Sequence, residues 1–221
     1  NLVASGLRGV FAQLCREKFV DCIITAGGSI DHDLIKAAMN YELGDFTMND
    51  KELHSKGINR LGNILVPNDC YIYLEEFMQE TFEELYSSGN KMVSPSEIAH
   101  AIGEKIGQRS DSSKNKTNKN NQNNKNNKTA KDGSFLYWCA KNEIPVFSPG
   151  ITDSAIGLQS YFFKQKRKDF GIDVTKGTNV LAQLTLNAKK TGGIILGGGI
   201  SKHHAIGANL LRGGFDYAVY I

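Results

Sequence analysis

Ile194-Ile195-Leu196-Gly197-Gly198-Gly199-Ile200-Ser201-Lys202-His203-His204 joins an apolar run to three glycines and then to a polar segment with two adjacent histidines. A buried strand that turns sharply into a helix reads this way, because β-branched residues suit a covered strand and glycine suits a tight turn. Such a turn lets backbone N–H groups approach a ligand closely, and the helix start that follows favours an anion. His203 and His204 put titratable groups at the same edge. The carboxyl end of a parallel strand is where α/β proteins bind cofactors.

Outward from this stretch the pattern repeats. Gly193 to Leu196 reads as a strand, Lys202 to Leu211 as a helix, and Tyr217 to Ile221 as a buried strand. At the other end, Ser5 to Lys18 carries apolar residues at helical spacing, and Val20 to Ile24 is a short strand. Thr25-Ala26-Gly27-Gly28 follows as a turn, then a helix from Asp31 to Met39. Between them lie an extended piece at Asn63 to Val66, a Glu-rich amphipathic helix from Tyr71 to Tyr86, and a helix opened by Ser94-Pro95-Ser96-Glu97 that runs to Ile106. Beyond them come a helix from Ser134 to Lys141, a strand from Ile144 to Phe147, the loop Ser148 to Asp153, and helices from Ala155 to Lys166 and Thr178 to Ala188. Strands alternating with helices imply an α/β fold: a Rossmann-like parallel sheet with helices on both faces. The chain starts without Met and stops inside an apparent strand, so it reads as a fragment of one domain, residues 1–221, truncated at both ends.

Composition narrows the function classes. The net charge of +3 is concentrated in residues 110–133, an Asn/Lys-rich tract with six Lys and two Asp, and the rest of the chain carries −1. The basic balance thus belongs to one tract and argues only weakly for a nucleic-acid surface on the folded part, so no nucleic-acid partner is expected. The tract has no apolar periodicity and reads as a disordered insert. No apolar run approaches the roughly 18 residues of a membrane span, and no signal peptide is visible. Cys15, Cys22, Cys70 and Cys139 are scattered in apolar contexts, which reads as reduced structural thiols in a cytoplasmic protein.

Three strand ends converge in this reading, at Thr25 to Gly28, Ser148 to Asp153, and Gly197 to Gly199, and with Ser5-Gly6 they could cradle a dinucleotide. Lys202 stands where the third glycine of G-x-G-x-x-G would fall, so the motif alone does not distinguish a nucleotide loop from a tight turn without a ligand. Asp31, Asp33 and Asp153 follow strands, where a carboxylate can bind a cation, accept from a ribose hydroxyl, or cap a helix. His203 and His204 cannot both face one way on a helix, so one is expected to face the site and the other the interior. No His/Cys/carboxylate cluster has metal-ligand spacing.

Four blocks carry a resemblance: Asn1-Leu2-Val3-Ala4-Ser5-Gly6, Gly57 to Asn68 (Gly-Ile-Asn-Arg-Leu-Gly-Asn-Ile-Leu-Val-Pro-Asn), Ile144 to Pro149 with Thr152-Asp153, and Leu196 to His204 through Tyr217 to Ile221. The chain resembles deoxyhypusine synthase over nearly its whole length outside the Asn/Lys insert. The resemblance implies a transferase that uses NAD to oxidise spermidine and moves its aminobutyl group through an enzyme-lysine imine to one lysine of the translation initiation factor 5A precursor. It implies a homotetramer with sites at subunit interfaces. Asn1, Leu2, Val3, Ala4, Ser5, Thr25, Ala26, Gly27, Gly28, Asp153 and Gly198 should then line the NAD site, and Asp31, His32 and His203 should lie near the polyamine, His203 as a base. The family's lysine falls in a Trp-Gly-Lys segment that this chain does not contain, so the chain alone should be inactive. Asp31-His32 and Leu158 stand where eukaryotic-type members carry acidic residues, and are closer to archaeal-type members. Homospermidine synthase, with putrescine as acceptor, and an inactive regulatory paralogue are the alternative readings.

The insert gives a first test. Deleting residues 112–128 from the full-length parent should leave turnover and melting temperature nearly unchanged, because the tract has no apolar residue to give to a core. A large loss of either would assign it a structural or assembly role.

Overall fold

The computed structural model describes residues 1–116 and 131–221. A π-helical turn, Val3–Leu7, leads into α1 (Arg8–Arg16), β1 (Ile23–Ile24) and α2 (Gly27–Lys36). A small antiparallel sheet follows, built from β2 (Glu42–Leu43), β3 (Ile58–Leu61) and β4 (Ile64–Pro67) in the order β2-β4-β3, with α3 (Asp50–Ser55) between β2 and β3. Next come α4 (Asn68–Ser87), β5 (Met92–Val93) and α5 (Pro95–Lys116). The second half holds α6 (Phe135–Lys141), β6 (Val146–Phe147), α7 (Ala155–Lys166), β7 (Gly171–Ile172), α8 (Val174–Asn187), β8 (Gly192–Ile195), α9 (Ile200–Leu210) and β9 (Tyr217–Tyr220).

The fold is mixed α/β, with its parallel strands joined through helices. The parallel pairs are β1–β6, β5–β7 and β8–β9. Among the described residues these pairs form separate ladders within the α/β fold expected from the sequence. Strands of two residues carry few ladder bonds, so helices hold the pairs together: α5 packs on β6, and α9 on β1. The antiparallel sheet was not foreseen. Its register, Leu61 against Ile64 and Ile58 against Pro67, closes over the turn at Gly62, whose φ is +66°. β9 is a correction. It was expected to be buried, yet it is exposed along its length in the part of the protein that this chain spans.

The core lies between α2, α4, α5, α6 and α7, where Leu34, Phe77, Ile102, Leu136 and Ile156 are all closed to solvent. Phe82, Phe163 and Phe170 stack against one another with ring centroids 4.8–5.6 Å apart, tying α4 to α7 and the approach to β7. Edge-to-face and tilted geometries of this kind add to simple burial. α5 runs past the expected insert boundary at Ser110 and stays helical through Lys116, with Asp111 paired to Lys131 at 2.7 Å. Extending an existing helix adds one bond per residue fixed, so polar residues can continue it without a core. Residues 117–130 of the insert lie outside the described residues.

α2 occupies the centre of this core, and it carries two buried carboxylates. Asp33 is fully buried; its Oδ1 accepts from Arg8 Nε at 2.6 Å, and its Oδ2 accepts from Ser134 Oγ at 2.7 Å and from Leu136 N at 3.0 Å. One side chain thus joins α1, α2 and the start of α6. Removing one partner of a buried pair is far more costly than the pair's net worth. Asp33→Ala should therefore lower the unfolding free energy by about 3–5 kcal/mol, measured by denaturant titration. A loss under about 1 kcal/mol, the range of an exposed pair, would contradict this account of the core.

Candidate functional site

The three loops singled out in the sequence leave the carboxyl ends of β1, β6 and β8, and the structure brings them together. Thr25 N donates to Phe147 O at 2.9 Å, so the loops after β1 and β6 leave side by side. Gly27 is buried against the second loop: a Cβ there would lie 2.5 Å from Ser154 Cβ and 2.7 Å from its Oγ, so only glycine fits. A Cβ on Gly28 would stand 3.3 Å from Asn1 Nδ2, which puts the N-terminal segment on the same turn. That segment is tied to α2 by Lys36 Nζ, which donates to Ala4 O at 2.9 Å. On the far side, a Cβ on Gly150 would lie 3.2 Å from Ile200 Cδ1, linking the β6 loop to the start of α9. Asn1 to Ser5, Thr25 to Gly28, the loop bearing Asp153, and the turn bearing Gly198 therefore form one continuous edge.

Helix starts in this protein fall into capped and uncapped sets. α3, α5, α6, α7 and α8 each have a side-chain cap, from Asn49, Ser94, Ser134, Ser154 and Asp173 respectively. α1, which grows out of the π-helical turn, and α4, which starts after Pro67, have no side-chain cap. The two helices that follow the glycine turns, α2 and α9, begin at Ala26 and Gly199 with no side chain on their first N–H groups. Gly199 sits at φ +80°, a conformation other residues adopt only with strain. Free N–H groups and the positive end of the helix dipole favour an anion at both starts.

The polar residues divide into exposed and buried sets. Asp153 and His203 are exposed at the edge. Asp153 is not a helix cap, since Ser154 Oγ takes that part by accepting from Gly157 N at 3.2 Å. Asp31 caps a helix that is not its own: its two oxygens accept from Ala155 N at 2.9 Å and Ile156 N at 3.1 Å, at the start of α7. Burial is the largest influence on it and raises its pKa from 3.8 to about 6, although the two backbone bonds oppose this. His32 is buried with Nδ1 2.6 Å from Tyr41 Oη, and burial above all lowers it to about 4, so the imidazole is neutral at pH 7. Burial also raises the Tyr41 hydroxyl, which stays protonated. Leu158 is exposed on α7.

Sequence reasoning missed Tyr41 as the partner of His32, since nothing in the spacing marks it. Ser148, read only as the first residue of the loop after β6, is buried. His204 is half-buried while His203 is exposed, the division that two adjacent residues on one helix require. Among the described residues, no group of three or more metal-ligating side chains occurs, and no helix is long and apolar enough to cross a membrane.

Glycine turns, uncapped helix starts and an exposed carboxylate and imidazole make this an α/β protein of the class that binds ligands at the carboxyl ends of its parallel strands. Comparison with known proteins makes that class specific. A family model described as deoxyhypusine synthase matches residues 1–221. A probable deoxyhypusine synthase of Methanocaldococcus jannaschii is 41% identical over 226 residues, covering 100% of this chain and 64% of its own length. That of Pyrococcus furiosus is 42% identical over 226 residues, with 100% and 62% covered. A crystal structure from Entamoeba histolytica, provisionally given the same name, superposes with a TM-score of 0.70 at 25% identity, covering 99% of this chain and 62% of that one. The chain belongs to the deoxyhypusine synthase family, and it spans a little over three-fifths of the length of these relatives.

The carboxylate behind the site yields a pH test. Asp31 holds its proton to about pH 6 when folded but only to the ordinary carboxylate value when unfolded. Stability from this group is therefore present at pH 4 and is lost as pH rises through 6. Relative to Asp31→Asn, the wild type should lose stability on the order of 3 kcal/mol between pH 4 and pH 7, measured by denaturant titration at each pH. A difference that stays flat, or grows in favour of the wild type, would show that the α7 bonds outweigh burial.

Proposed function

We propose that this chain supplies the NAD- and spermidine-binding side of a cytoplasmic deoxyhypusine synthase. In this reading the enzyme transfers the aminobutyl group of spermidine to one lysine of the translation initiation factor 5A precursor, and works as a homotetramer with its sites between subunits. The observation that carries the reading is the contact path Asn1–Gly28, Gly27–Ser154 and Gly150–Ile200, in a chain that belongs to the family from end to end. It joins every segment that the resemblance assigns to NAD.

The residues present fit a dinucleotide. Gly27 lets the loop after β6 pack directly on the β1 turn, and Gly198, where a Cβ would meet nothing within 4 Å, leaves backbone open to a ligand. The uncapped N–H groups of α2 and α9 suit a pyrophosphate, and the exposed Asp153 carboxylate suits ribose hydroxyls. When bound, NAD supplies a hydride acceptor that later returns the hydride. In this reading Asn1 to Ser5 close the cofactor edge against Gly28. His203 takes the proton from the spermidine amine at a ring nitrogen as the hydride leaves. Asp31 and His32 stand behind the turn. A neutral His32 paired with Tyr41 gives the polyamine a hydrogen-bonding wall without a charge, while Asp31 keeps the start of α7 in place. The lysine that carries the imine belongs, in this proposal, to the part of the longer relatives that this chain does not span, so this chain alone forms no deoxyhypusine.

Two substitutions in the full-length parent test the assignment. Asp153→Ala should weaken NAD binding by ~1–3 kcal/mol, the cost of lost hydrogen bonds to a hydroxyl pair. His203→Ala should slow NADH formation with spermidine by roughly 10²–10⁴-fold and leave NAD affinity close to normal. Neither should shift the melting temperature much, since both side chains are exposed. Wild-type affinity and turnover in the variants, or losses that track unfolding, would remove both residues from the site.

A further inference from the structure

A small cleft separates α9 from the loop after β6. Its polar wall is Ser96, Ser148, Thr178 and His204, and Phe147 and Val174 line it with apolar surface. We propose that this cleft binds one water molecule that bridges Ser148 Oγ to the His204 ring, which makes His204 a positioning residue for the glycine turn and for His203. The claim about position rests on the NAD reading above; the claim about the water does not.

Ser148 gives the first reason. It is 2% exposed, and its Oγ has no hydrogen-bond partner among the described residues. Buried hydroxyls are almost always bonded, to protein or to ordered water. Size gives the second. The cleft offers about 10 Å³, the scale of a single water. A water also needs two to four polar partners, and they are present. Ser96 Oγ donates to Val146 O at 2.8 Å and Thr178 Oγ1 to Val174 O at 3.3 Å, so each keeps lone pairs to accept with. Burial, and then the neighbouring His203, lower the His204 pKa, and a neutral ring offers one donor and one acceptor. An anion has less to hold it. The two helices that start at this cleft, α5 and α8, are already capped by Ser94 and Asp173.

The consequence follows from how little else holds the turn. A Cβ added at Gly197, Gly198 or Gly199 would meet nothing within 4 Å. The turn is held by Gly197 N donating to Ile221 O at 2.8 Å and by the approach of Ile200 to Gly150. A water between His204 and Ser148 adds a polar tie from α9 to the loop that carries Asp153. It sets Gly198 and His203 against Asp153 without touching either ligand.

The test uses the full-length parent. A high-resolution crystal structure should show a water within hydrogen-bond distance of both Ser148 Oγ and a His204 nitrogen; density there for no water would overturn the proposal. Ser148→Ala and His204→Ala should each weaken NAD binding roughly 3- to 10-fold, and the double variant should be no weaker than the worse single one. His204→Gln, which keeps a hydrogen-bonding end, should recover most of the affinity, whereas a side chain that only filled space would not be rescued this way. Turnover at saturating NAD should change less than affinity. Additive losses, or wild-type affinity in Ser148→Ala, would contradict the bridge. Should the wild-type parent bind no NAD, the function proposed above falls. The water density and the same cycle read in melting temperatures then still decide the cleft.

Discussion

Asp31 and Asp33 stand two residues apart on a helix that is buried over most of its length, and each reaches across the core to the start of a different helix. The first N–H groups of any helix lack internal partners, and a carboxylate satisfies them with charge-assisted bonds at the positive end of the dipole. Here that chemistry is used between helices. Asp33 fixes α6 and holds Arg8 of α1; Asp31 fixes α7, which begins directly after the loop bearing Asp153. α2 begins at the glycine turn, so the position of Gly27 and Gly28 relative to the β6 loop depends on these bonds. Short strands could not supply that rigidity, since β1 and β6 pair over only two residues each.

The same logic separates framework from ligand edge. Five helices have their starts closed by Asn49, Ser94, Ser134, Ser154 and Asp173, while α1 and α4 start uncapped within the frame. The starts of α2 and α9 are left open to solvent-side chemistry. Polar side chains follow this division. Buried ones, Asp31, Asp33 and His32, bond inward; Asp153 and His203 face out. A ligand at this edge would meet backbone N–H groups, one carboxylate and one imidazole, held by the packed helices behind them.

Much of this was legible in the chain itself. The helix from Ala155 to Lys166 was read at its observed bounds, because a Ser cap opens it and a basic last turn closes it, and Tyr71 to Tyr86, with apolar residues at helical spacing, lies within α4. The turns at Gly27-Gly28 and Gly197 to Gly199 were found because glycine clusters after β-branched runs have few other uses. α2 was expected to begin at Asp31 but begins at Gly27, since glycine's poor helix propensity hides a start that tertiary packing imposes. The antiparallel sheet went unread because β2 and β3 are short and mostly exposed. The role of Asp31 was hidden for a deeper reason. Its partners, Ala155 and Ile156, lie more than 120 residues away, and no local spacing encodes a cap supplied through space.

Hydrogen–deuterium exchange of the full-length parent, with and without NAD, addresses the claim that the open helix starts form the cofactor edge. NAD should slow exchange in peptides covering Asn1 to Ser5, Ala26 to Ser29 and Gly198 to Lys202. The capped starts of α6 and α8, at Phe135 and Val174, should exchange as before. Protection at the capped starts with none at the glycine turns, or no protection anywhere, would contradict this account of the site.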